Sequence, residues 1–373
     1  MKNVLEWLEA TVEKYLDKPA FSDTECSITF RQVYDIARNT GAYLVEQLGV
    51  DRTPVAVFAG RKMVTPAYFL GVVYAGRPYA PIDASLPDKR IEKILENLCP
   101  GAIVADRESR EHVESIVDEL AKAEGFDRPQ IFIAEDISRF EQVACADSNC
   151  KISESAGDAV TDSENDMLAV VRRQMSMTDP LYIIYTSGST GNPKGVMTSH
   201  LSLMTYINAY CDVMHIEESD VLGNQSPLDY IAAIRDIYLP LKTGCSTAII
   251  PKEYFMEPNA LFDYMNEKKV SSVGWSVSAF TILTSLGAFE EVGLKSLRKI
   301  CFSGSVMPCR VLRKWQENLP EAHFVNQYGP TEATASCTYY SVDHTVEEDE
   351  VLPIGKAYDN YRVFLIDEHG NEP

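Results

Sequence analysis

Short runs of apolar and β-branched residues alternate with longer amphipathic stretches along most of the chain. The short runs predict strands, and they lie at residues 54–58, 102–104, 131–133, 183–185, 248–250, 272–274 and 300–302. Apolar residues recur at helical spacing after several of these runs, most clearly at 64–74 and at about 109–122. Strands that alternate with helices are typical of largely parallel sheets covered by helices, so the sequence predicts an α/β fold.

Two stretches depart from this alternation. Residues 134–166 are polar and acidic, with few large apolar side chains. Because such a composition offers little apolar surface to bury, it predicts a mobile connection between two lobes. Near the C-terminus, residues 362–367 have a strand pattern and residues 367–371 a turn pattern, but no partner strand follows. This ending predicts a truncated chain.

Composition and charge exclude several classes of function. The chain has 373 residues, of which 45% are hydrophobic and 24% charged, as in a folded globular protein. Lys and Arg number 34 against 55 for Asp and Glu, which gives a formal net charge of −21. Nucleic acids and anionic membrane surfaces require clustered cations, so neither is expected as the main partner. A small anionic ligand stays possible, because it needs only a few local donors.

The cysteines and the N-terminus indicate a compartment. The nine cysteines show neither CxxC spacing nor the Cys/His spacing of a zinc site. They do not suit a disulfide-rich secreted scaffold and favour a reducing compartment. The amphipathic N-terminus lacks the apolar stretch of a signal peptide, and no run of about eighteen apolar residues occurs. We therefore predict a cytoplasmic protein without a membrane span.

The most specific segment is 185–196, with the sequence Tyr-Thr-Ser-Gly-Ser-Thr-Gly-Asn-Pro-Lys-Gly-Val after a predicted strand. Glycines let successive backbone N–H groups converge on an anion, hydroxyl groups add donors, and a lysine adds positive charge. The alternative is an ordinary flexible surface loop. We predict phosphate binding by Thr186, Ser187, Gly188, Ser189, Thr190, Gly191 and Lys194.

This segment is not a P-loop, whose pattern is G-x-x-x-x-G-K-[ST] at the start of a helix. Counted from Gly188, Pro193 stands where the second glycine belongs, and Gly195 stands where the hydroxyl residue belongs. Residues 196–198 then have a strand pattern rather than a helical one. A kinase-like or GTPase-like loop is therefore excluded.

The loop closely resembles the signature of the adenylate-forming superfamily, which includes acyl-CoA synthetases, luciferases and the adenylation domains of nonribosomal peptide synthetases. Other segments resemble the family's motifs in the family's order, namely 28–33, 72–83, Arg90, His200, 326–334 and 353–356. Pro330 favours the peptide-synthetase branch, so the chain is most similar to amino acid adenylation domains.

The resemblance implies the large N-terminal lobe of such an enzyme. Its fold would be two packed αβα subdomains with largely parallel sheets, plus part of a small β-barrel-like subdomain, without the C-terminal lid. The expected division is a first subdomain to about residue 134, a mobile acidic connection over about 135–176, an ATP- and substrate-binding subdomain over about 177–350, and the start of the small β subdomain over about 351–373.

The resemblance also implies roles around the nucleotide. Tyr328 would stack on adenine, Thr331 would contact the α-phosphate, and Glu332 would bind Mg²⁺, with Lys194, Thr331 and Glu332 as the catalytic residues. Taken singly, Tyr328 could instead be a core tyrosine and Glu332 a helix-start carboxylate. The predicted ATP contacts are Thr186, Ser187, Gly188, Ser189, Thr190, Gly191, Lys194, Ser303, Gly304, Ser305, Asn326, Tyr328, Gly329 and Thr331.

Residues 227–238 resemble the helix that lines the acyl pocket in amino-acid-activating members. An aspartate near the start of that helix holds the substrate's α-ammonium group, and here Ile231 stands in its place, two residues after Asp229. An isoleucine cannot pair with a buried cation. Either Asp229 takes over the role, or the substrate is an aryl, keto or hydroxy acid, or Arg235 binds a second carboxylate of the substrate. The alternative for Arg235 is a surface or ion-paired arginine beside Asp236. The predicted pocket residues are Asp229, Ile231, Ala232, Arg235, Gly274, Cys301, Ser303, Gln327, Ala335 and Ser336.

The implied reaction is ATP- and Mg²⁺-dependent activation of a carboxylic acid, with an amino acid preferred, as an acyl-adenylate with release of pyrophosphate. Thioester formation on a phosphopantetheine carrier protein would follow. One alternative is an aryl-acid or acyl-CoA ligase of the same superfamily, and another is a nucleotide-binding module without catalysis. Because the family's lid lysine cannot be located in this sequence, we expect the isolated chain to bind nucleotide but to adenylate weakly.

Overall fold

The computed structural model describes residues 2–122, 125–140, 162–187 and 191–372. The strands are β1 (Pro19–Ser22), β2 (Ser27–Thr29), β3 (Val55–Phe58), β4 (Tyr79–Pro81), β5 (Ala102–Ala105), β6 (Gln130–Ile133), β7 (Pro180–Ser187), β8 (Pro193–Ser199), β9 (Val221–Asn224), β10 (Ser246–Ile249), β11 (Ser272–Ser276), β12 (Lys299–Ser303), β13 (His323–Tyr328), β14 (Thr338–Val342) and β15 (Lys356–Ala357). The α-helices are α1 (Leu5–Tyr15), α2 (Phe30–Leu48), α3 (Thr65–Tyr74), α4 (Asp88–Leu98), α5 (Arg110–Leu120), α6 (Ala134–Ser138), α7 (Asp162–Gln174), α8 (His200–Met214), α9 (Ile234–Thr243), α10 (Pro258–Glu267), α11 (Val277–Ser285) and α12 (Cys309–Asn318).

The predicted elements and the α/β fold are confirmed. Each of the seven short apolar runs overlaps an observed strand, and the stretches at 64–74 and about 109–122 form α3 and α5. Residues 28–33 contain the junction of β2 and α2. The helix begins there with a capping box, in which Thr29 and Gln32 each accept the other's backbone N–H through their side chains.

The chain folds into two compact units, and each is discontinuous in sequence. Unit 1 comprises Met1–Met204 and Pro227–Ile249, and unit 2 comprises Thr205–Ser226 and Ile250–Pro373. The segment Met1–Met204 of unit 1 includes the acidic stretch at which the sequence predicted the division between two lobes. The observed division therefore lies at other positions than the predicted one.

Unit 1 is built on a six-stranded sheet with the strand order β6-β5-β3-β4-β7-β8. Its strands are parallel except for β8, which forms an antiparallel hairpin with β7. Every residue of β3 and β5 is buried, which is the pattern of a parallel sheet covered on both faces. Three further strands pair in the order β10-β1-β2, with β1 parallel to β10 and antiparallel to β2.

The strands of unit 2 pair in the order β15-β14-β13-β12-β11-β9. The pairs from β9 to β13 are parallel, whereas β14 and β15 are added antiparallel. Trp275 and Trp315 are fully buried and meet edge to face, and both rings contact Phe280. The indole N–H of Trp275 donates to the Gly223 carbonyl at 2.8 Å. These tryptophans are core residues of unit 2.

Two predictions of local structure differ from the structure. The ends of the predicted mobile connection are helical, because residues 134–138 form α6 and residues 162–174 form α7. Ile137 and Phe140 are buried and anchor the first end, although polar neighbours dilute their signal in the sequence. The middle of the predicted connection, residues 141–161, lies outside the described residues.

Residues 362–367 form no strand, although their sequence has the strand pattern. Val363, Phe364, Leu365 and Ile366 are 50–75% exposed. A strand requires a hydrogen-bonded neighbour, and no described segment supplies one here. The predicted turn is present, with the Asp367 N–H donating to the Asn371 carbonyl at 2.8 Å. In the described ranges, no helix combines the length and the apolar character needed to cross a membrane.

Candidate functional site

The predicted site residues are divided between the two units. Unit 1 carries the phosphate loop and the acyl segment, residues 227–238, and unit 2 carries the ends of β11, β12 and β13 with the turn that follows them. Gly188, Ser189 and Thr190 of the phosphate loop lie outside the described residues.

The phosphate loop of unit 1 connects β7 to β8. Thr186 pairs with Lys194, and Ser187 pairs with Pro193. Paired residues of an antiparallel hairpin point to the same face, so Thr186 and Lys194 lie side by side at the base of the loop. Lys194 is exposed. A β-strand follows the loop, as expected from the exclusion of a P-loop.

His200 follows the hairpin as the first residue of α8 and is 1% exposed. Its Nδ1 accepts the backbone N–H of Val4 at 3.5 Å, which requires a neutral ring. Burial lowers the pKa of His200 to about 4; Asp179 opposes this shift and Arg172 adds to it. His200 is thus a neutral structural residue that ties the N-terminus to the base of the hairpin.

The acyl segment of unit 1 forms a short 3-10 helix over Ile231–Ala233 and then α9. Ile231 is 6% exposed, and Ala232 is partly buried. Arg235 and Asp236 are 2% and 4% exposed, so neither is a surface residue. The surface role considered for Arg235 is therefore wrong. From Ile231 onward the segment is helical, as predicted.

Asp229 belongs to a small polar cluster with Asp83 and Arg90 in unit 1. Burial raises the pKa of Asp229, and the Asp83 carboxylate raises it further, whereas backbone N–H groups and the Arg90 guanidinium act in the opposite direction. The buried Nε of Arg90 has no hydrogen-bond partner within the described ranges. A buried carboxyl group that lies beside a second carboxylate favours the approach of a cation.

In unit 2, predicted site residues meet at the carboxyl ends of parallel strands. Gly274 of β11 pairs with Cys301 of β12, and Ser276 pairs with Ser303. Cys301 also pairs with Val325 of β13, so Gly274, Cys301 and Val325 are aligned across the three strands. Gln327 lies two residues after Val325, closer to the carboxyl end of β13. Ligands of open α/β sheets bind at this edge. Gly304 and Ser305 follow β12 in an exposed segment.

Gln327 and Ser336 are 2% and 1% exposed. The Ser336 hydroxyl donates to Oε1 of Gln327 at 3.4 Å. The Gln327 Nε2 is buried and has no hydrogen-bond partner within the part of the chain that the structure describes. The two predicted pocket residues thus contact each other and leave one amide donor unused.

The turn from Tyr328 to Thr338 brings the chain back onto itself. The Cys337 N–H donates to the Tyr328 carbonyl at 2.9 Å. A Cβ on Gly329 would lie 2.4 Å from the Cα of Ser336 and 2.8 Å from the Ala335 carbonyl oxygen, so only glycine fits. Ala335 and its preceding residue have positive φ values of 71° and 55°, which cost conformational energy in non-glycine residues.

The side chains expected at the nucleotide project from this turn. Tyr328 is 51% exposed, which excludes the core alternative and leaves its ring free for stacking. Thr331 and Glu332 lie on the 3-10 helix Thr331–Ala333, and Glu332 is exposed. The described residues contain no group of three or more side chains arranged to hold a metal. Mg²⁺ often has only one or two carboxylate ligands beside phosphate oxygens, so Glu332 alone fits it.

Asn326 holds two parts of unit 2 together. It is 8% exposed, and its Nδ2 donates to the Pro353 carbonyl at 2.9 Å. Gly355 has a φ of +80°, and a Cβ there would lie 1.9 Å from the Tyr339 carbonyl oxygen. The motif at 353–356 therefore packs against β13 and β14, and the Asn326 amide contacts protein backbone.

Sequence reasoning missed Lys93 and Asn97, which hydrogen-bond to the phosphate-loop hairpin from α4. The available signal was their spacing of four residues, which puts two polar side chains on one face of a helix. It does not say which segment that face meets.

Comparisons with known proteins agree with these features. The family model described as AMP-binding enzyme matches residues 8–373. The D-alanine–D-alanyl carrier protein ligase of Bacillus velezensis is 29% identical over 368 residues, which cover 97% of this chain and 66% of that protein. The corresponding ligase of Bacillus thuringiensis is 28% identical over 369 residues, which cover 98% of this chain and 66% of that protein. The chain thus spans slightly less than two thirds of the length of these relatives.

Solved structures share the fold. The nonribosomal peptide synthetase FmoA3 superposes with a TM-score of 0.78 at 20% identity, covering 98% of this chain and 35% of that one. A four-domain nonribosomal peptide synthetase, AB3403 bound to AMP and glycine, gives 0.76 at 18% identity and covers 99% and 24%. The N-terminal subdomain of Klebsiella oxytoca NpsA, in complex with 3-hydroxybenzoyl-AMSN, gives 0.77 at 16% identity and covers 100% and 84%.

Proposed function

Because the chain belongs to the AMP-binding enzyme family, we propose that its protein activates an amino acid as an acyl-adenylate, consuming ATP and releasing pyrophosphate. Transfer of the acyl group to the phosphopantetheine thiol of a carrier protein follows. The relatives named as D-alanine–D-alanyl carrier protein ligases support an amino acid and a carrier as partners. The structural observation that carries the proposal is the hairpin that presents Thr186 beside Lys194, the two ends of a glycine- and hydroxyl-rich sequence.

In this reaction the substrate carboxylate attacks the α-phosphorus of ATP, and pyrophosphate leaves. An anion approaches a polyanion, so catalysis must position and neutralise charge. The loop from Thr186 to Lys194 binds the β- and γ-phosphates, and Lys194 stabilises the negative charge that the leaving pyrophosphate gains. Its exposed position on the hairpin gives the ammonium group access to a ligand.

Unit 2 supplies the contacts to the adenosine and the α-phosphate. The half-exposed Tyr328 ring stacks on adenine, the segment Ser303–Ser305 runs along the base, and Thr331 binds the α-phosphate. Gly329 and Asn326 shape the turn and the strand end that carry these groups. The exposed Glu332 carboxylate would hold Mg²⁺, which would neutralise part of the phosphate charge.

In unit 1, the predicted contacts to the acyl substrate lie on the acyl segment. Asp229 acts as the ammonium anchor, because its raised pKa and its neighbour Asp83 mark a position that gains from a cation. In unit 2, Gln327 and Ser336 add polar groups, and Gly274 and Cys301 lie on the parallel strands β11 and β12. The remaining predicted pocket residues are Ile231, Ala232, Arg235, Ser303 and Ala335.

The test is ATP–pyrophosphate exchange by the full-length protein with a panel of D- and L-amino acids, aryl acids, keto acids and hydroxy acids. We expect exchange with at least one amino acid. Asp229→Ala should raise the KM for that acid by about tenfold or more through the loss of a charged contact. The matched control Asp88→Ala removes an exposed aspartate that contacts His112 and should leave the KM unchanged.

A second candidate is an enzyme for an acid without an α-amino group, which the burial of Ile231 at the expected anchor position favours. Exchange with aryl, keto or hydroxy acids alone, unaffected by Asp229→Ala, would identify this candidate. Ile231→Asp should then shift the preference towards amino acids. ATP binding without exchange for any acid would contradict both candidates and indicate a nucleotide-binding module. Loading of purified holo-carrier protein, compared with coenzyme A, identifies the acceptor.

A further inference from the structure

Helix α4 packs against the hairpin that carries the phosphate loop. Its buried residues Ile91, Ile94 and Leu95 belong to the same apolar cluster as Ile183 of β7. The partly buried Tyr185 packs against this cluster as well. Helix and hairpin therefore share one core within unit 1, and the polar residues at the edge of α4 lie within reach of the loop.

Two hydrogen bonds join α4 to the two sides of the loop. Nζ of Lys93 donates to Oδ1 of Asn192 at 3.1 Å, and the hydroxyl of Tyr185 donates to Oδ1 of Asn97 at 2.9 Å. Tyr185 directly precedes Thr186 on the strand that enters the loop, and Asn192 directly precedes β8 on the side that leaves it. Lys93 and Asn97 are four residues apart on one helical face, so a single rigid element holds both sides.

Tyr185 reaches α4 because Gly195, its partner across the hairpin, has no side chain. A Cβ on Gly195 would lie 2.8 Å from Cγ2 of Ile183 and 3.1 Å from Cζ of Tyr185. The phenol therefore lies over the glycine on the α4 face, while Thr186 and Lys194 share the opposite face. Burial raises the pKa of Tyr185 to about 12, so the hydroxyl keeps its proton at neutral pH and remains a donor.

We propose that Lys93 and Asn97 are positioning residues for the phosphate loop. They hold its entering and leaving sides against α4, so that Thr186 and Lys194 are presented to the triphosphate at a fixed separation. Side chains that are held in place before binding lose less conformational entropy when the ligand binds. This role rests on the proposed function, since it concerns the binding of ATP by the same loop.

The test compares Lys93→Met, Asn192→Ala and the double variant in the full-length protein. We expect each to raise the KM for ATP by about two- to tenfold, the range of one hydrogen bond, without changing the KM for the acid. The double variant should show the same increase as the single variants, because both remove one bond. Lys93→Arg should retain the parental KM. The matched control is Lys89→Met on the same helix, since Lys89 pairs with Glu92 instead of the loop.

Amide hydrogen exchange of peptides covering residues 186–196 gives a readout that does not depend on activity. Exchange should accelerate in Lys93→Met, Asn192→Ala and Asn97→Leu, and it should be unchanged in Lys89→Met. Unchanged exchange in the loop variants would overturn the positioning role. Additive effects of Lys93→Met and Asn192→Ala on the KM for ATP would also overturn it, since they would mean that Lys93 contacts ATP directly. A parent protein without pyrophosphate exchange would contradict the proposed function, while the hydrogen-exchange comparison would still decide whether α4 orders the loop.

Discussion

The phosphate-loop hairpin of unit 1 and the Tyr328–Thr338 turn of unit 2 are both predicted to contact the nucleotide, but they are constructed differently. The hairpin presents exposed side chains on regular antiparallel strands. The turn folds so tightly that one position admits only glycine, and two others have positive φ. Substitutions in the hairpin should therefore affect ligand binding. Substitutions at the conformationally restricted positions of the turn should instead affect folding.

The largest effect is expected for Gly329→Ala. The added methyl group would overlap backbone atoms of Ser336 and Ala335, which cannot move without breaking the turn. We expect a loss of about 2–4 kcal/mol in the free energy of unfolding, measured by urea denaturation. Gly293→Ala is the control, because a Cβ there meets no atom within 4 Å. If the two variants had equal free energies of unfolding, Gly329 would not be sterically restricted. The proposed contrast between a tight turn and a tolerant hairpin would then be wrong.

Lys194→Ala should weaken the binding of ATP by about 1.5–3 kcal/mol, or about 10- to 150-fold, because one charge-assisted phosphate contact is lost. The unfolding free energy should not change, since the side chain is exposed. Isothermal titration with ATP and urea denaturation of the same preparation measure the two quantities. If stability fell and ATP affinity did not, the hairpin would be a structural element and not a binding element.

His200 at the base of the hairpin should make the free energy of unfolding depend on pH. The pKa of His200 is lowered from 6.5 to about 4 in the folded protein, so between these values the unfolded chain binds the proton more readily. Stability from this residue is present above pH 6.5 and is lost as the pH falls towards 4, by about 1 kcal/mol per pH unit. The slope of unfolding free energy against pH should be smaller in His200→Gln. Equal slopes would show that other groups cause the acid sensitivity.

The sequence predicted the regular elements and much of the chemistry, because both depend on local patterns. Short apolar runs located the strands, and the glycine- and hydroxyl-rich loop was found by composition alone. The tight fit of Gly329 could not be predicted, since it depends on residues that follow it by six to eight positions and return to it through the turn. The burial of Arg235 and the contact of Asn97 with Tyr185 depend likewise on packing between separate segments.

The local sequence pattern also gave a wrong prediction where a strand needs a neighbouring strand to pair with. Residues 362–367 have the alternation and β-branched content of a strand, but pairing decides whether such a segment becomes one. Helix α6 shows the opposite case, in which two buried apolar side chains hold a segment whose composition predicts mobility.

Because unit 1 is discontinuous in sequence, its N-terminal segment packs against residues that are synthesised much later. Phe21 of β1 pairs with Thr247 of β10, and the Thr11 hydroxyl donates to the Leu241 carbonyl at 2.6 Å. During synthesis, the N-terminal segment must therefore wait for more than two hundred further residues before its native neighbours leave the ribosome. Contacts of such long sequence separation make folding slow and leave apolar surface exposed to other chains in the meantime. Unit 1 should thus depend on chaperones more than a unit of equal size made from one continuous segment.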